Sequence, residues 1–145
     1  MTNKEILFDI YKHILYISES FEDLLEAYLK KDIYLMDSQL RFIKWCILDL
    51  EEEYIGILSD GVLCIRNINT NELDDREKRD YNYLINVYKI YKESFIDKLE
   101  CKSPSKDKDT IIDGTTELKI KEGIDMYKEI SKDAEIQMKR LNSDY

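Results

Sequence analysis

Carboxylates at helical spacing are the side chains of this sequence that could do chemistry. Glu19, Glu22 and Glu26 follow one another at intervals of three and four residues. Asp49 and Glu52 form a similar pair further along the chain. Two such pairs on facing helices can hold Mg²⁺, but neither a facing pair nor basic residues for a phosphate can be assigned here. Because 37 % of the chain is charged, we interpret these pairs as solvated helix faces.

The Glu-x-x-Glu spacing resembles the paired carboxylates of the all-α nucleotide pyrophosphohydrolases, in which two helices supply a Mg²⁺ site. The resemblance implies Mg²⁺-dependent nucleotide hydrolysis as one alternative function. Other catalytic sites lack their residues, since His13 is the only histidine and a ferritin-type di-iron site needs two. His13 adjoins an apolar helix stripe, where we interpret it as a packing residue. The sequence therefore predicts a protein that is not an enzyme, without a catalytic, cofactor or metal site.

Charge and cysteine content restrict the partners and the compartment. A net charge of −9 argues against direct binding to nucleic acid or to an anionic membrane, because both need a basic face. The acidic excess is concentrated in residues 32–58. Cys46, Cys64 and Cys101 are odd in number and widely spaced, which indicates buried thiols in a reducing compartment. Charges interrupt the apolar N-terminus, so we expect a cytoplasmic protein without a signal or a membrane span.

Apolar residues spaced three and four apart predict long amphipathic helices. Three stripes recur along the chain: Leu7, Ile10, Ile14, Ile17, Phe21, Leu24 and Tyr28; Met36, Leu40, Ile43, Ile47, Leu50, Tyr54 and Ile57; Tyr81, Leu84, Tyr88, Tyr91 and Phe95. A narrower fourth stripe follows at Ile120, Ile124, Tyr127, Ala134, Met138 and Leu141. We therefore expect an all-α fold, in which three long antiparallel helices form a bundle and a more polar C-terminal helix is tethered to it.

Helix boundaries are marked at two places near the N-terminus. Thr2 and Glu5 have the spacing of a capping box, which begins the first helix. The second stripe is displaced by one residue relative to the first, and Lys30, Lys31 and Asp32 lie across this break. Lys is favourable at a helix C-terminus and Asp is a good N-cap, so a tight turn is predicted there. A continuous helix with a phase shift is the alternative.

The stretch from Ser59 to Ile68 allows two structures. Gly61 follows Ser59 and Asp60 and resembles a stop signal, yet the stripe continues in phase through Cys64 and Ile68. We favour a helix that runs through Gly61 with a kink. A short strand or a loop over residues 62–65 is the alternative.

The C-terminal half divides at a polar segment. Thr70 or Asn71 is expected to cap the third helix, which should reach about Leu99. The predicted organisation is a bundle core over residues 1–101, a flexible polar linker over 102–116, and an amphipathic helix over 117–145 that packs on the core. Its modest apolar face makes this last helix the element expected to detach or to rearrange on binding.

Tyrosines and carboxylates supply the predicted contact residues. Tyr81, Tyr88 and Tyr91 lie on the third stripe and are expected in the core. Tyrosines that fall outside the stripes are candidates for an exposed contact with a partner, because Tyr is enriched at interfaces. Together with carboxylates of the second helix they form the predicted partner-binding set: Tyr16, Tyr34, Tyr83, Asp49, Glu52 and Glu53.

Two functional hypotheses follow. The first is a small cytoplasmic chaperone or adaptor that binds another protein in an apolar groove, from which the fourth helix is displaced. Residues 14–54, with Leu29-Lys30-Lys31-Asp32 at the bend, resemble the helical hairpin of flagellar and type III export chaperones over about a third of the chain. The second is an acidic inhibitor, such as a phage anti-defence or toxin-neutralising immunity protein, acting through charge complementarity. Heptad stripes would also serve a homodimer.

Overall fold

A computed structural model describes residues 1–92 and 114–143 of this chain. Its elements are helices α1 (Asn3–Lys30), α2 (Ile33–Glu53), α3 (Asp75–Tyr91) and α4 (Gly114–Ser143), with strands β1 (Ile55–Ile57) and β2 (Leu63–Ile65) between α2 and α3. The mostly helical fold predicted from the stripes is thus confirmed, and the two-stranded hairpin is an addition to it.

Helix α1 is the centre of the molecule, because α2 and α4 both pack along it and α3 contacts it as well. The Thr2 hydroxyl accepts a hydrogen bond of 3.2 Å from the Glu5 amide at its N-terminus. Its stripe is confirmed as core, since the residues from Leu7 to Leu24 on that stripe are essentially inaccessible to solvent. Tyr28, at its end, is half-buried.

The turn between α1 and α2 is as tight as predicted. Lys31 adopts the left-handed conformation with a φ of 57°, which ends α1. The Asp32 carboxylate then caps α2 by accepting a 3.1 Å hydrogen bond from the Leu35 amide. The one-residue displacement of the second stripe therefore marks a reversal of the chain direction and not a continuous helix.

A kinked helix over Ser59–Ile68 is wrong, and the alternative with a strand is correct. The strands pair antiparallel with Ile55 opposite Ile65. Gly61 has a φ of 83°, a conformation that glycine adopts at little cost, and the Asp60 side chain accepts a 3.1 Å hydrogen bond from the Val62 amide. These features form a turn, which β-branched residues flank, so the local chemistry favours a hairpin over the helix suggested by the stripe.

Helix α3 begins later than expected. Asn69 caps a short 3₁₀ turn at Thr70–Glu72, and Asp74 caps α3 in a reciprocal capping box with Glu77. The prediction that Thr70 or Asn71 caps this helix is therefore wrong. Tyr88 and Tyr91 are buried and Tyr81 is half-buried, as the stripe predicted. The expected continuation to Leu99 lies outside the described residues.

Helix α4 shares the core of α1. It begins at Gly114, three residues before the predicted start, and the rest of the predicted linker, residues 102–113, lies outside the described part of the chain. The Tyr127 ring stacks on Phe21 with centroids 4.5 Å apart and planes within 6°. Tyr91 stacks on Phe21 at 5.4 Å, so one aromatic cluster joins α1, α3 and α4.

A buried ion pair reinforces the same three helices. Arg140 Nη2 on α4 lies 2.6 Å from Asp80 Oδ2 on α3, and both side chains are largely buried. The Tyr11 hydroxyl on α1 donates a 2.7 Å hydrogen bond to the other Asp80 oxygen. Each carboxylate oxygen of Asp80 thus has a partner on a different helix, which orients α3 and α4 against α1.

Candidate functional site

Helix α2 carries large apolar side chains that its packing against α1 leaves exposed. We call this surface the outer face of α2, and it comprises Tyr34, Leu35, Phe42, Trp45 and Leu48. Phe42, Trp45 and Leu48 follow one another at intervals of three residues, Leu35 precedes Phe42 by seven and Tyr34 precedes Trp45 by eleven. These intervals keep the five side chains on one side of the helix. Trp45 is 64 % exposed and Tyr34 is 91 % exposed, so no described element covers them. The inward side of α2 buries Ile43, Ile47 and Leu50 in the core, so α2 is apolar on two sides.

Carboxylates border the outer face. At its N-terminal half, Asp37 forms an exposed ion pair with Arg41 at 2.5 Å. At its C-terminal half, Glu52 and Glu53 are exposed and Asp49 is half-buried. The surface that α2 presents therefore combines large apolar side chains with the exposed Asp37–Arg41 pair between them, and it is acidic at its C-terminal end.

A cleft between α1 and α2 opens beside the outer face. It encloses a cavity of about 220 Å³. Its walls combine aromatic rings with ionisable groups, namely Asp9, Lys12, His13, Tyr16, Phe42, Trp45, Cys46 and Asp49. Phe42 and Trp45 belong both to the cleft and to the outer face, so the two form one continuous surface.

His13 brings the ionisable groups of the cleft together. Its Nδ1 lies 2.8 Å from the backbone oxygen of Asp9, one turn earlier on α1. Its Nε2 lies 3.3 Å from Asp49 Oδ2 on α2. The Tyr54 ring meets the imidazole edge-on at 5.8 Å and limits its rotation. One ligand atom from each of His13, Asp49 and Glu53 falls within 4.8 Å of the others, so three potential ligands converge on one point.

Tyr54 anchors the end of α2 to this cluster. Its hydroxyl donates a hydrogen bond to the Asp9 carboxylate. Burial raises the pKa of Tyr54, and the hydrogen bond and charge of Asp9 raise it further. The tyrosine therefore stays neutral at physiological pH and holds Asp9 beside His13.

Cys46 lies in the wall of the same cleft but is a poor nucleophile. Burial raises the pKa of its thiol, and the nearby Asp49 carboxylate adds to the effect. Since the thiolate is the reactive form, this environment keeps Cys46 unreactive at neutral pH. We interpret it as a wall residue of the cleft.

The structure brings some of the predicted partner-binding residues together. Tyr16 is half exposed at the cleft, Tyr34 lies at the N-terminal end of the outer face, and Asp49 lies inside the cleft. Glu53 approaches His13, whereas Glu52 is exposed next to it and its backbone oxygen accepts a 2.9 Å hydrogen bond from Arg66.

Tyr83 is a correction to that set. Its side chain is half-buried against Tyr11, with ring centroids 6.1 Å apart, and its hydroxyl is buried. Burial raises its pKa to about 12, to which Asp133 and Glu129 on α4 contribute. The expectation that Tyr83 is an exposed contact residue is therefore wrong, because the space outside the third stripe is filled by neighbouring helices.

Phe42, Trp45 and His13 are the residues of this site that sequence analysis missed. Phe42 and Trp45 fall outside the apolar stripe of α2, just as Tyr16 and Tyr34 fall outside the stripes of their helices. The rule that selected Tyr16 and Tyr34, a large aromatic residue off the stripe, would also have selected Phe42 and Trp45. His13 carries no such signal, because its proximity to Asp49 depends on how α1 and α2 align.

The carboxylate pairs of α1 lie elsewhere. Burial raises the pKa of Glu19, with Glu135 on α4 as the next contribution. Burial also raises the pKa of Glu22, and the positive charge of Lys128 on α4 partly offsets this rise. These residues therefore border α4 and not the cleft. Among residues 1–92 and 114–143, the group of side chains placed to hold a metal ion is His13, Asp49 and Glu53.

Comparisons with known proteins gave no match. No family model matches the chain, and neither curated proteins nor solved structures show significant similarity to it. None of the described helices combines the length and the apolar character needed to cross a membrane. Function must therefore be inferred from the side chains of this chain.

Proposed function

We propose that this chain is a non-enzymatic acidic protein that binds another protein through the outer face of α2, as a small cytoplasmic chaperone or adaptor. The observation that carries the proposal is the row of five large apolar side chains on the solvent side of one helix. Isolated exposed apolar residues are ordinary, but several large apolar side chains on one side of a helix, accompanied by charge, are typical of interaction sites.

The residue types of the patch favour a protein partner. Trp and Tyr dominate the binding energy of protein interfaces because each buries a large rigid surface and keeps one polar atom for a hydrogen bond. Trp45 and Tyr34 occupy the middle and one end of the outer face, with Phe42 between them. The cleft beside Trp45 offers a pocket for a side chain of the partner.

Charge identifies the chemistry of the partner. Asp49, Glu52 and Glu53 lie at the C-terminal end of the patch, and the whole chain carries a net charge of −9. Two copies of the outer face would bring these carboxylates together, which disfavours self-association through it. The fitting occupant is an amphipathic segment of another protein whose apolar side is flanked by Lys or Arg.

The proposed binding site on α2 differs from the site that the displaced-helix hypothesis assumes. Tyr127, Ala134 and Leu141 of α4 are fully buried against the rest of the molecule. Displacing α4 would expose the aromatic cluster of the core, which costs more than occupying a face that is already exposed. We therefore assign binding to α2, with α4 in place.

Acidic inhibition is the second candidate function. The carboxylates at the C-terminal end of α2 would then meet a basic active site of a toxin or nuclease, and the apolar patch would contribute less. The salt dependence of binding distinguishes the two candidate functions. Salt screens exposed charge pairs, with a Debye length of about 8 Å at physiological ionic strength, whereas apolar contacts persist at high salt.

The test is affinity capture from lysate at low and at high salt, followed by measurement of the affinity for each retained protein. Combined Phe42→Ala and Trp45→Ala substitutions should weaken the complex by at least about 2 kcal/mol, as expected for interface hot spots. The matched control is Leu118→Ala with Ile136→Ala, which removes exposed apolar side chains of α4. Both double variants should melt like the unsubstituted protein. If the two double variants bind the partner equally well, the assignment to α2 is wrong. A complex that forms at low salt and dissociates at high salt would favour the inhibitor.

A further inference from the structure

The contacts of His13 determine which nitrogen of its ring carries hydrogen. The backbone oxygen of Asp9 can only accept, so the 2.8 Å contact requires a proton on Nδ1. In the neutral imidazole, Nε2 then presents a lone pair. That lone pair faces the Asp49 carboxylate at 3.3 Å, and a carboxylate is also an acceptor. Two acceptors at this distance repel each other unless a second ring proton or a metal cation lies between them.

The same arrangement is what a metal-binding histidine shows. Such histidines donate their second ring N–H to a carboxylate or a backbone oxygen, which fixes the tautomer and aims the other nitrogen at the metal. Ligand atoms about 2.0–2.1 Å from a tetrahedral Zn²⁺ lie about 3.3 Å apart. The separation of His13 Nε2 and Asp49 Oδ2 is 3.3 Å.

A third ligand comes from the next turn of α2. Glu53 follows Asp49 by four residues, so the two carboxylates share one helix face opposite His13. Its side chain is exposed and its carboxylate oxygen falls within the 4.8 Å that encloses the three ligand atoms. An exposed glutamate has the rotamer freedom to close the remaining distance. The adjacent cavity leaves room for water or a donor atom of a partner as a fourth ligand.

We propose that His13, Asp49 and Glu53 bind a divalent cation of the first transition series, with Zn²⁺ as the representative. One imidazole and two carboxylates suit Zn²⁺, Mn²⁺ or Fe²⁺, whereas Mg²⁺ and Ca²⁺ prefer oxygen ligands alone. The ion would join α1 to α2 at the C-terminal end of the outer face. Binding of the ion needs no protein partner, although Asp49 and Glu53 also belong to the acidic end of the proposed partner-binding surface.

Trp45 provides an intrinsic probe, because it is the only tryptophan and lines the same cleft. Purified, metal-free protein would be titrated with ZnCl₂ at neutral pH, with MgCl₂ as the chemical control. We expect a saturable change in Trp45 fluorescence at one Zn²⁺ per chain, a rise in the melting temperature, and no response to equimolar Mg²⁺.

Conservative substitutions test the ligands. His13→Gln, Asp49→Asn and Glu53→Gln should each weaken Zn²⁺ binding by at least about tenfold, the lower end of what losing an outer-shell partner costs. Glu52→Gln is the matched control, because Glu52 lies between the two acidic ligands in sequence and outside the cluster, and its affinity should stay within about twofold. Helicity and a cooperative melt establish that each variant is folded.

Nitrogen-15 NMR of the imidazole distinguishes a metal from a proton as the cation. His13 is the only histidine, so its signals need no assignment by mutagenesis. Zn²⁺ should move the Nε2 resonance and leave Nδ1 in its protonated form. If the ring responds to pH but not to Zn²⁺, or if His13→Gln binds Zn²⁺ as well as the unsubstituted protein does, the contact is an ion pair between His13 and Asp49 and the proposal is wrong.

Discussion

Helices α2 and α4 pack against the same neighbour, α1, and yet their outer sides differ. The solvent side of α4 is mostly charged, with Leu118 and Ile136 as its exposed apolar residues. The solvent side of α2 displays a tryptophan, a phenylalanine, a tyrosine and two leucines. Both helices bury an apolar stripe against α1, so the fold accounts for their inner sides equally well.

The difference separates a helix side that the packed core requires from one that it does not require. A helix that only completes a core needs one apolar side, and α4 has that composition. The second apolar side of α2 contributes nothing to the buried core and increases the exposed apolar surface. We interpret it as the part of the molecule that exists for a partner, and three predictions test how far the two helices differ.

Removing α4 should have the largest effect. A chain that ends before Gly114 loses six buried residues of α4 that pack on the rest of the molecule: Ile120, Ile124, Tyr127, Ile130, Ala134 and Leu141. Burial of a large apolar side chain contributes about 1.5–3 kcal/mol, so their sum approaches the whole stability of a typical domain, about 5–15 kcal/mol. We expect circular dichroism to show no cooperative melt. A truncated chain that stays helical and melts cooperatively would mean that α4 is as dispensable as the displaced-helix hypothesis requires.

How much of this arrangement the sequence predicts depends on the range of the interactions. Heptad spacing is local, so it identified much of the helical core, from Leu7 on α1 to Leu141 on α4. It was wrong for Ile57, which ends the second stripe but is 73 % exposed in β1, and it did not include the buried Tyr11, Val87 and Ile130. The Lys31 turn was likewise predicted, because its cap lies beside it in sequence. A strand at residues 62–65 was only the second choice, because Cys64 keeps the phase of the preceding stripe and the pairing of Ile55 with Ile65 depends on residues ten apart.

The candidate site was predicted less well than the core, for a similar reason. Tyr16 and Asp49 were singled out separately, since each stands out by type or position on its own helix. Their meeting across the cleft with His13 depends on the axial alignment of α1 and α2, which the heptad pattern does not determine. Sequence alone therefore gave members of the site without its geometry.

Two arginines in ion pairs, one on α4 and one on α2, provide a smaller contrast. Arg140 of α4 pairs with Asp80 in a largely buried position, whereas Arg41 of α2 pairs with Asp37 in solvent. Arg140→Met leaves the Asp80 carboxylate buried without that partner and should destabilise the fold by about 3–5 kcal/mol. Arg41→Met should cost less than about 1 kcal/mol. Urea unfolding measures both. Equal losses would show that the outer face of α2 is more protected than its exposure indicates.

Tyr83 provides the third prediction, on the side of α3 that faces Asp133 and Glu129 of α4. Its hydroxyl is buried and makes no hydrogen bond among the described residues. An unsatisfied buried hydroxyl is unfavourable, so Tyr83→Phe should stabilise the fold by about 1 kcal/mol at neutral pH.

The pH dependence of the same variant supplies an independent check. Burial raises the pKa of Tyr83 from 10.0 to about 12, so between these values the unfolded chain loses the phenolic proton while the folded chain retains it. Stability from this group is therefore complete below pH 10 and falls as the pH rises towards 12. Urea unfolding at pH 9 and at pH 11 should show a smaller loss for Tyr83→Phe than for the unsubstituted protein. An identical loss would place the Tyr83 hydroxyl in solvent, and α4 would then cover α3 less completely than the buried Arg140 and Asp80 indicate.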